Sequence, residues 1–220
     1  MLKLALIGKD ISHSKSQSMY EDLLGVEVGY TLLDYKCSGD IPEISEVFSN
    51  LDGLSITSPY KQHFLNQVNV VSEVEPLKSI NCISKVGNIF YGTNTDYFAL
   101  KEIIADRFMK KNFIILGDGV MARVTIQILN HLGLSYEQFS RKKSGDLNKV
   151  SLNGENLLII NTCSRDFVLN REPSSDAIFW DYNYSFEPHV SYFKSISTSY
   201  IDGLELLRLQ AGYALEFWNK

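Results

Sequence analysis

Long apolar runs are missing from this chain of 220 residues. A helix that crosses a bilayer needs roughly 18 to 20 apolar residues in succession, and no stretch approaches that, so a membrane span is not expected. Basic surplus is missing too, since 21 Lys and Arg stand against 26 Asp and Glu, a net charge of −5. Affinity for a nucleic-acid backbone comes mainly from excess Lys and Arg; no nucleic-acid partner is expected, and any basic site must be local. Cysteine is sparse. Cys37, Cys82 and Cys163 lie far apart, form no CxxC pair and have no histidine at metal-ligand spacing, which leaves neither a disulfide framework nor a metal site and fits a reducing cytoplasm. Internal repeats, low-complexity tracts and Pro/Gly/Ser linkers are also lacking, and the apolar start at Leu4–Ile7 is too short for a signal peptide. What remains is 45% hydrophobic and 12% aromatic, a composition that excludes disorder and has length for one large domain or two small ones.

Short apolar runs alternate with helical patterns, which predicts parallel βαβ units. Strands are expected at Leu4–Ile7, Tyr30–Leu33 and Leu51–Ile56, and helices at Met19–Leu24, Ile41–Phe48 and Lys61–Val71. Ile80–Val86 and Ile89–Tyr91 flank Gly87-Asn88, a two-residue turn that closes a hairpin, so the first sheet should be mixed. The pattern restarts near residue 100. Phe113–Leu116 reads as a strand covered on both faces, followed by a helix through Val120, Val124 and Ile128 that stops at Gly133. Strands Tyr136–Phe139, Leu157–Asn161 and Ala177–Tyr182 follow at intervals too short for a full helix between each pair. Leu204, Leu207, Ala211, Ala214 and Trp218 make an apolar stripe on a terminal helix. The fold class is therefore α/β, with two domains and a boundary near residue 100.

Between the strand at Phe113 and its helix lies Gly117-Asp118-Gly119-Val120-Met121-Ala122, a GxGxxA loop. Such glycines let backbone close on a pyrophosphate at a helix N-terminus; the same residues also read as an ordinary strand-to-helix turn. The ribose reader belongs at the end of the next strand, at Ser140-Arg141-Lys142-Lys143, where Arg141 lies 24 residues after Gly117. Arginine there grips a 2′-phosphate with two charge-assisted bonds, favouring NADP over NAD. Glu137 is the competing reader, and the basic run also reads as solvated surface. In the first half, Ser12-His13-Ser14-Lys15-Ser16 follows the first strand, Thr57-Ser58-Pro59-Tyr60-Lys61 ends another, and Asn94-Thr95-Asp96 puts a carboxylate at a helix start. Each also has a bland reading: a helix cap for the serines and for Asp96, a surface lysine for Lys61.

In order along the chain, these segments resemble the shikimate/quinate dehydrogenase family. Ser12–Ser16 is similar to its SHSxS loop, Thr57–Lys61 to TxPxK, Asn81 to its single asparagine, Asn94-Thr95-Asp96 to NTD, and Gly117–Ala122 with Ser140-Arg141 to its NADP loop and reader. Asp181-Tyr182-Asn183-Tyr184 is similar to DxxY, and Gly203-Leu204 through Gln210-Ala211 to its last helix. The resemblance implies a mixed-sheet substrate domain over residues 1–99, a Rossmann-like, doubly wound NADP domain over 110–200, and a C-terminal helix, 203–220, returning to the first. It implies NADPH-dependent reduction of 3-dehydroshikimate to shikimate, in the cytoplasm, by a monomer or homodimer, as a step towards chorismate and the aromatic amino acids. Lys61 and Asp96 would be the catalytic pair. Ser14, Ser16, Thr57, Lys61, Asn81, Asp96, Tyr184 and Gln210 would hold the substrate; Gly117, Gly119, Val120, Met121, Ala122, Ser140, Arg141 and Gly203 would hold the cofactor. Departures stand at Ser55, Cys82 and Cys163, and at Glu205 and Leu206, where a charge is expected beside the nicotinamide. Two alternatives stay open: a quinate or NAD enzyme, because the hydroxyl readers are generic, and a catalytically weak ligand-binding homologue, suggested by Glu205, Leu206 and the short second half.

Overall fold

A computed structural model describes residues 1–219 of the chain. Two compact units emerge: Met1–Ala99 together with the chain from Leu207 onward, and Leu100–Leu206.

The first unit begins with β1 (Lys3–Gly8), α1 (Ser16–Leu24), β2 (Gly29–Asp34), α2 (Ile44–Val47) and β3 (Gly53–Ile56). β4 (Asn69–Val70), β5 (Cys82–Val86) and β6 (Ile89–Thr93) complete a six-stranded sheet of order β2-β1-β3-β5-β6-β4. β1 pairs in parallel with β2 and β3, whereas β5 runs antiparallel to both β3 and β6. The mixed sheet and its Gly87-Asn88 hairpin follow the expectation. Two expected helices do not form as read. Lys61–Val71 carries only a short 3-10 turn at Leu65–Gln67 before joining the sheet as β4. Its asparagines and β-branched valines are weak helix formers, and its backbone groups are used elsewhere: the Lys61 carbonyl accepts from Ile80 N–H at 2.8 Å, and Val71 N–H donates to the Gly92 carbonyl at 2.9 Å. Of Ile41–Phe48, only the four residues of α2 are helical.

α3 (Thr95–Arg107) leads into the second unit, where β7 (Asn112–Leu116), α4 (Val120–His131), β8 (Tyr136–Phe139), α5 (Arg141–Ser144), β9 (Leu157–Asn161), β10 (Ile178–Asp181), α6 (Glu187–Ser195) and β11 (Ser199–Ile201) follow. All neighbouring strands in its sheet are parallel, in the order β11-β10-β9-β7-β8. The order reverses between β7 and β9, so the carboxyl ends of these two strands form the crevice in which doubly wound sheets bind ligands. The crossover from β8 to β9 is reduced to the one-turn α5 and a 3-10 turn, Leu147–Lys149, in keeping with the short intervals in the sequence. α6 and β11 carried too little periodicity to be read in advance.

α7 (Leu204–Trp218) closes the chain. Ala211, Ala214 and Leu215 are buried with Leu4, Tyr20, Val28 and Cys82, so the terminal stripe packs on the first sheet. Trp218 donates from Nε1 to the Ile83 carbonyl at 2.9 Å. Among the described residues no helix is long and apolar enough to cross a membrane, and no group of three or more metal-ligating side chains converges.

Candidate active site

In the first unit, the segment after β3 and the N-terminus of α3 bring two buried charges together. Lys61 Nζ lies 2.6 Å from Asp96 Oδ2, with side chains only 8% and 13% exposed. Placing both ions out of bulk water is costly unless each has a partner, and the pair satisfies that condition. The surface-lysine reading of Lys61 is therefore wrong.

Beside this pair, Asn81 Oδ1 accepts the Thr95 N–H at 2.7 Å, and the Thr95 hydroxyl lies 3.0 Å from both Asn81 Nδ2 and Gln210 Oε1. Asn81, Thr95 and Gln210 are all buried. Gln210 Nε2 donates to the Leu207 carbonyl at 3.0 Å, so the amide of α7 is oriented from both ends. Thr95, read only as part of the Asn94–Asp96 motif, is the centre of the network; a lone threonine between Asn and Asp gives no periodic signal that would mark it as such. Asp96 is in the first turn of α3, as its helix-start reading required.

Ser14 and Ser16 lie before and at the start of α1, their hydroxyls 3.1 Å apart. Lys15 occupies the N-cap position, and Ser14 Oγ accepts the N–H of Ser16, the first residue of α1, at 3.2 Å, so Ser14 keeps part of the capping role. Thr57 continues the β1–β3 ladder, its N–H donating to the Ile7 carbonyl at 2.8 Å. The departures at Ser55 and Cys82 are internally satisfied or inert. Ser55 Oγ lies 3.0 Å from the phenol of Tyr20, which burial holds well above its ordinary range. Burial, reinforced by the charge of Asp96, also pushes the Cys82 thiol up.

In the second unit, the glycine loop stands at the switch point. A cavity of about 170 Å³ is lined by Gly117, Asp118, Gly119, Arg141, Thr162 and Cys163 among others. Gly117 has φ +118°, and a Cβ there would lie 2.4 Å from Thr162 Oγ1, so only glycine fits. A Cβ on Gly119, in contrast, would meet no atom within 4 Å; the space in front of it is open, which is what close approach of a phosphate requires. With Arg141 at the rim, this donor set suits an anionic dinucleotide. Val120 and Met121 open α4, and Ala122 is buried. Ser140 is fully buried; its hydroxyl accepts the Lys143 N–H at 3.3 Å and caps α5. Glu137 is exposed on β8, away from the cavity lining. Cys163 is half-buried, and desolvation raises its thiol to about 11 although Arg141 pulls it down.

Tyr184 lies in the segment after β10, with the Arg165 guanidinium 5.7 Å from its ring centroid and bonded to its carbonyl. A Cβ on Gly203 would come within 2.3 Å of the Tyr182 carbonyl oxygen, so Gly203 is where two backbone segments meet. Glu205 Oε2 lies 2.7 Å from Arg107 Nη2 on α3, with both side chains about half exposed. Sequence reasoning missed a further support. Asp181 and His189 are fully buried and 2.5 Å apart; Asp181 Oδ1 also accepts from Asn161 Nδ2 and from both nitrogens of Asn183. His189 Nε2 accepts the Leu169 N–H at 2.9 Å, so Nδ1 carries the hydrogen that faces Asp181. This network holds the segments that follow β9 and β10.

A family model described as the shikimate dehydrogenase substrate binding domain matches residues 6–83. The chain is 30% identical to the shikimate dehydrogenase (NADP(+)) of Prochlorococcus marinus subsp. pastoris, with 98% of this chain and 91% of that protein covered. It is 28% identical to the shikimate dehydrogenase of Sulfurisphaera tokodaii over 98% and 88% of the two chains. Among solved structures, Thermus thermophilus shikimate 5-dehydrogenase in complex with NADP(H) and shikimate superposes with a TM-score of 0.79 at 22% identity, covering 99% and 93% of the two chains. At that identity the structural likeness speaks for the fold, whereas the sequence match over nearly the whole of both chains goes further: the chain belongs to the shikimate dehydrogenase family.

Proposed function

We propose that this protein catalyses the NADPH-dependent, reversible reduction of 3-dehydroshikimate to shikimate, a step towards chorismate and the aromatic amino acids. The observation that carries the reading is the buried Lys61–Asp96 pair, set beside the amides and hydroxyls of Asn81, Thr95 and Gln210. The first unit is the substrate-binding half, with Ser14, Ser16, Thr57, Lys61, Asn81, Asp96 and Gln210 holding carboxylate and ring hydroxyls. A ligand with many hydroxyls suits such a set, because a polar group left unpaired by the wrong ligand costs more than a lost apolar contact. The second unit is the cofactor half, with Gly117, Gly119, Val120, Met121 and Ala122 at the pyrophosphate, Ser140 and Arg141 at the adenosine end, and Gly203 near the nicotinamide.

When bound by the glycine loop and Arg141, NADPH would supply a hydride to the carbonyl carbon. As the new C–H bond forms, the C=O π pair moves onto oxygen, and the Lys61 ammonium both stabilises that charge and delivers the proton that completes the secondary alcohol. Groups so positioned contribute about 10²- to 10⁴-fold. Asp96 holds the ammonium in place, and Lys61 regains its proton from solvent before the next turnover.

Incubating the protein with shikimate and NADP⁺ while following nicotinamide reduction tests the reading. Reduction with shikimate supports it, preference for quinate moves the substrate to that relative, and tight shikimate binding without reduction makes the chain a ligand-binding homologue.

A further inference from the structure

The glycine loop is held open by contacts that belong to this chain and not to its glycines. Gly117 N–H donates to the Phe139 carbonyl at 2.8 Å, and the Leu116 carbonyl accepts from both the N–H and the hydroxyl of Thr162, at 2.9 and 2.8 Å. The Gly117 carbonyl is held from β8, where Gln138 Nε2 donates to it at 2.9 Å. A glutamine amide is often ambiguous between its two orientations; here the environment decides. Oε1 lies 3.5 Å from the Lys143 ammonium, and reversing the amide would set its NH₂ against a cation and its oxygen against a carbonyl.

We propose that Gln138 is a positioning residue for dinucleotide binding: by holding the Gly117 carbonyl toward β8, it sets the direction of the following amide. The C=O and N–H of a planar trans peptide point opposite ways, so the Asp118 N–H is turned away from Gln138. Without this bond the Gly117 carbonyl would be free to rotate toward the cavity and present a partial negative charge to a phosphate. The residue reads nothing of the nucleotide. Its effect falls on the pyrophosphate shared by NADP and NAD, unlike that of Arg141, which acts on the 2′-phosphate alone. The inference rests on the cofactor assignment made above.

The experiment is a fluorescence titration of NADPH and NADH into wild type, Gln138→Met, Gln138→Glu and Arg141→Ala, with steady-state kinetics alongside. A lost neutral hydrogen bond of about 1 kcal/mol corresponds to roughly five- to ten-fold. Both Gln138 variants are expected to weaken NADPH and NADH by that same factor, with kcat at saturating cofactor and KM for shikimate within about two-fold of wild type. Arg141→Ala should weaken NADPH alone. If Gln138→Met is poorly folded, Gln138→Glu decides: a loss that persists in high salt is the missing donor, whereas one that vanishes is only the added charge and overturns the proposal. Binding of both nucleotides within two-fold of wild type, or a loss confined to NADPH, also overturns it. A wild type that binds neither nucleotide removes the cofactor assignment and the inference with it.

Discussion

In the first unit, polar side chains close on one another: Lys61 on Asp96, and Asn81 and Gln210 on Thr95. Around the glycine loop of the second, and apart from the buried Asp181–His189 pair, they close on backbone, with Thr162 on the Leu116 carbonyl, Gln138 on the Gly117 carbonyl and Asn183 on the Cys163 carbonyl. On the proposed reading, the first arrangement presents side-chain groups to a ligand, so the identity of each residue would be the recognition element. The second presents peptide groups, and the side chains act by shaping a surface they do not form. A binding half built from side chains tolerates little change in residue type, whereas a half built from backbone can replace its supports if the same carbonyls remain held.

That contrast is tested most severely at Lys61. Lys61→Ala should lower kcat by about 10²- to 10⁴-fold with a modest change in KM for shikimate; an equal loss in both constants, or no loss, would remove Lys61 from proton transfer. The next effect falls at the charged side chain of the second unit assigned to the 2′-phosphate. Arg141→Ala should weaken NADP relative to NAD by about 10- to 100-fold, the worth of one charge-assisted contact, and indifference to the 2′-phosphate would return the role to Glu137. Thr95→Val keeps shape and removes the hydroxyl on which Asn81 and Gln210 converge, so it should cost about 1 to 3 kcal/mol and lower the melting temperature by several degrees. Unchanged melting would show that the two amides re-pair without it. The smallest effect is chemical. Because burial raises Cys163 to about 11, only on the order of one thiol in a thousand is ionised at pH 8, and alkylation should reach exposed Cys37 well before Cys163. The Cys163 rate should climb with pH until the thiol titrates and fall when NADP⁺ fills the cavity; labelling of Cys163 first would contradict the burial.

The legible parts of the molecule follow the same division. The hairpin at Gly87-Asn88, the strand and helix around Gly117, and the terminal stripe ending at Trp218 declare themselves through turn chemistry and periodicity, which act over a few residues. Lys61, Asp96, Asn81 and Gln210 could be singled out because their residue types match family motifs, and the structure brings Lys61 to Asp96 and Asn81 and Gln210 to Thr95. Thr95, Gln138 and His189 could not: each matters through a partner between 8 and 115 residues away, and nothing local marks a side chain that will hold a distant carbonyl or carboxylate. The stretch Lys61–Val71 misled for a related reason. Its apolar spacing suits a helix, but pairing with β6 and the bond from Ile80 N–H to the Lys61 carbonyl claim its backbone first. The ion-pair partner of Glu205, Arg107, is likewise 98 residues away and unmarked in the sequence.

The account turns on hydride leaving one carbon of the substrate, and isotope transfer reads that event directly. Shikimate deuterated at the carbon bearing the reacting hydroxyl, incubated with the protein and NADP⁺, should yield reduced cofactor carrying one deuterium for each dehydroshikimate formed. Unlabelled NADPH, or dehydroshikimate appearing without reduced cofactor, would contradict it.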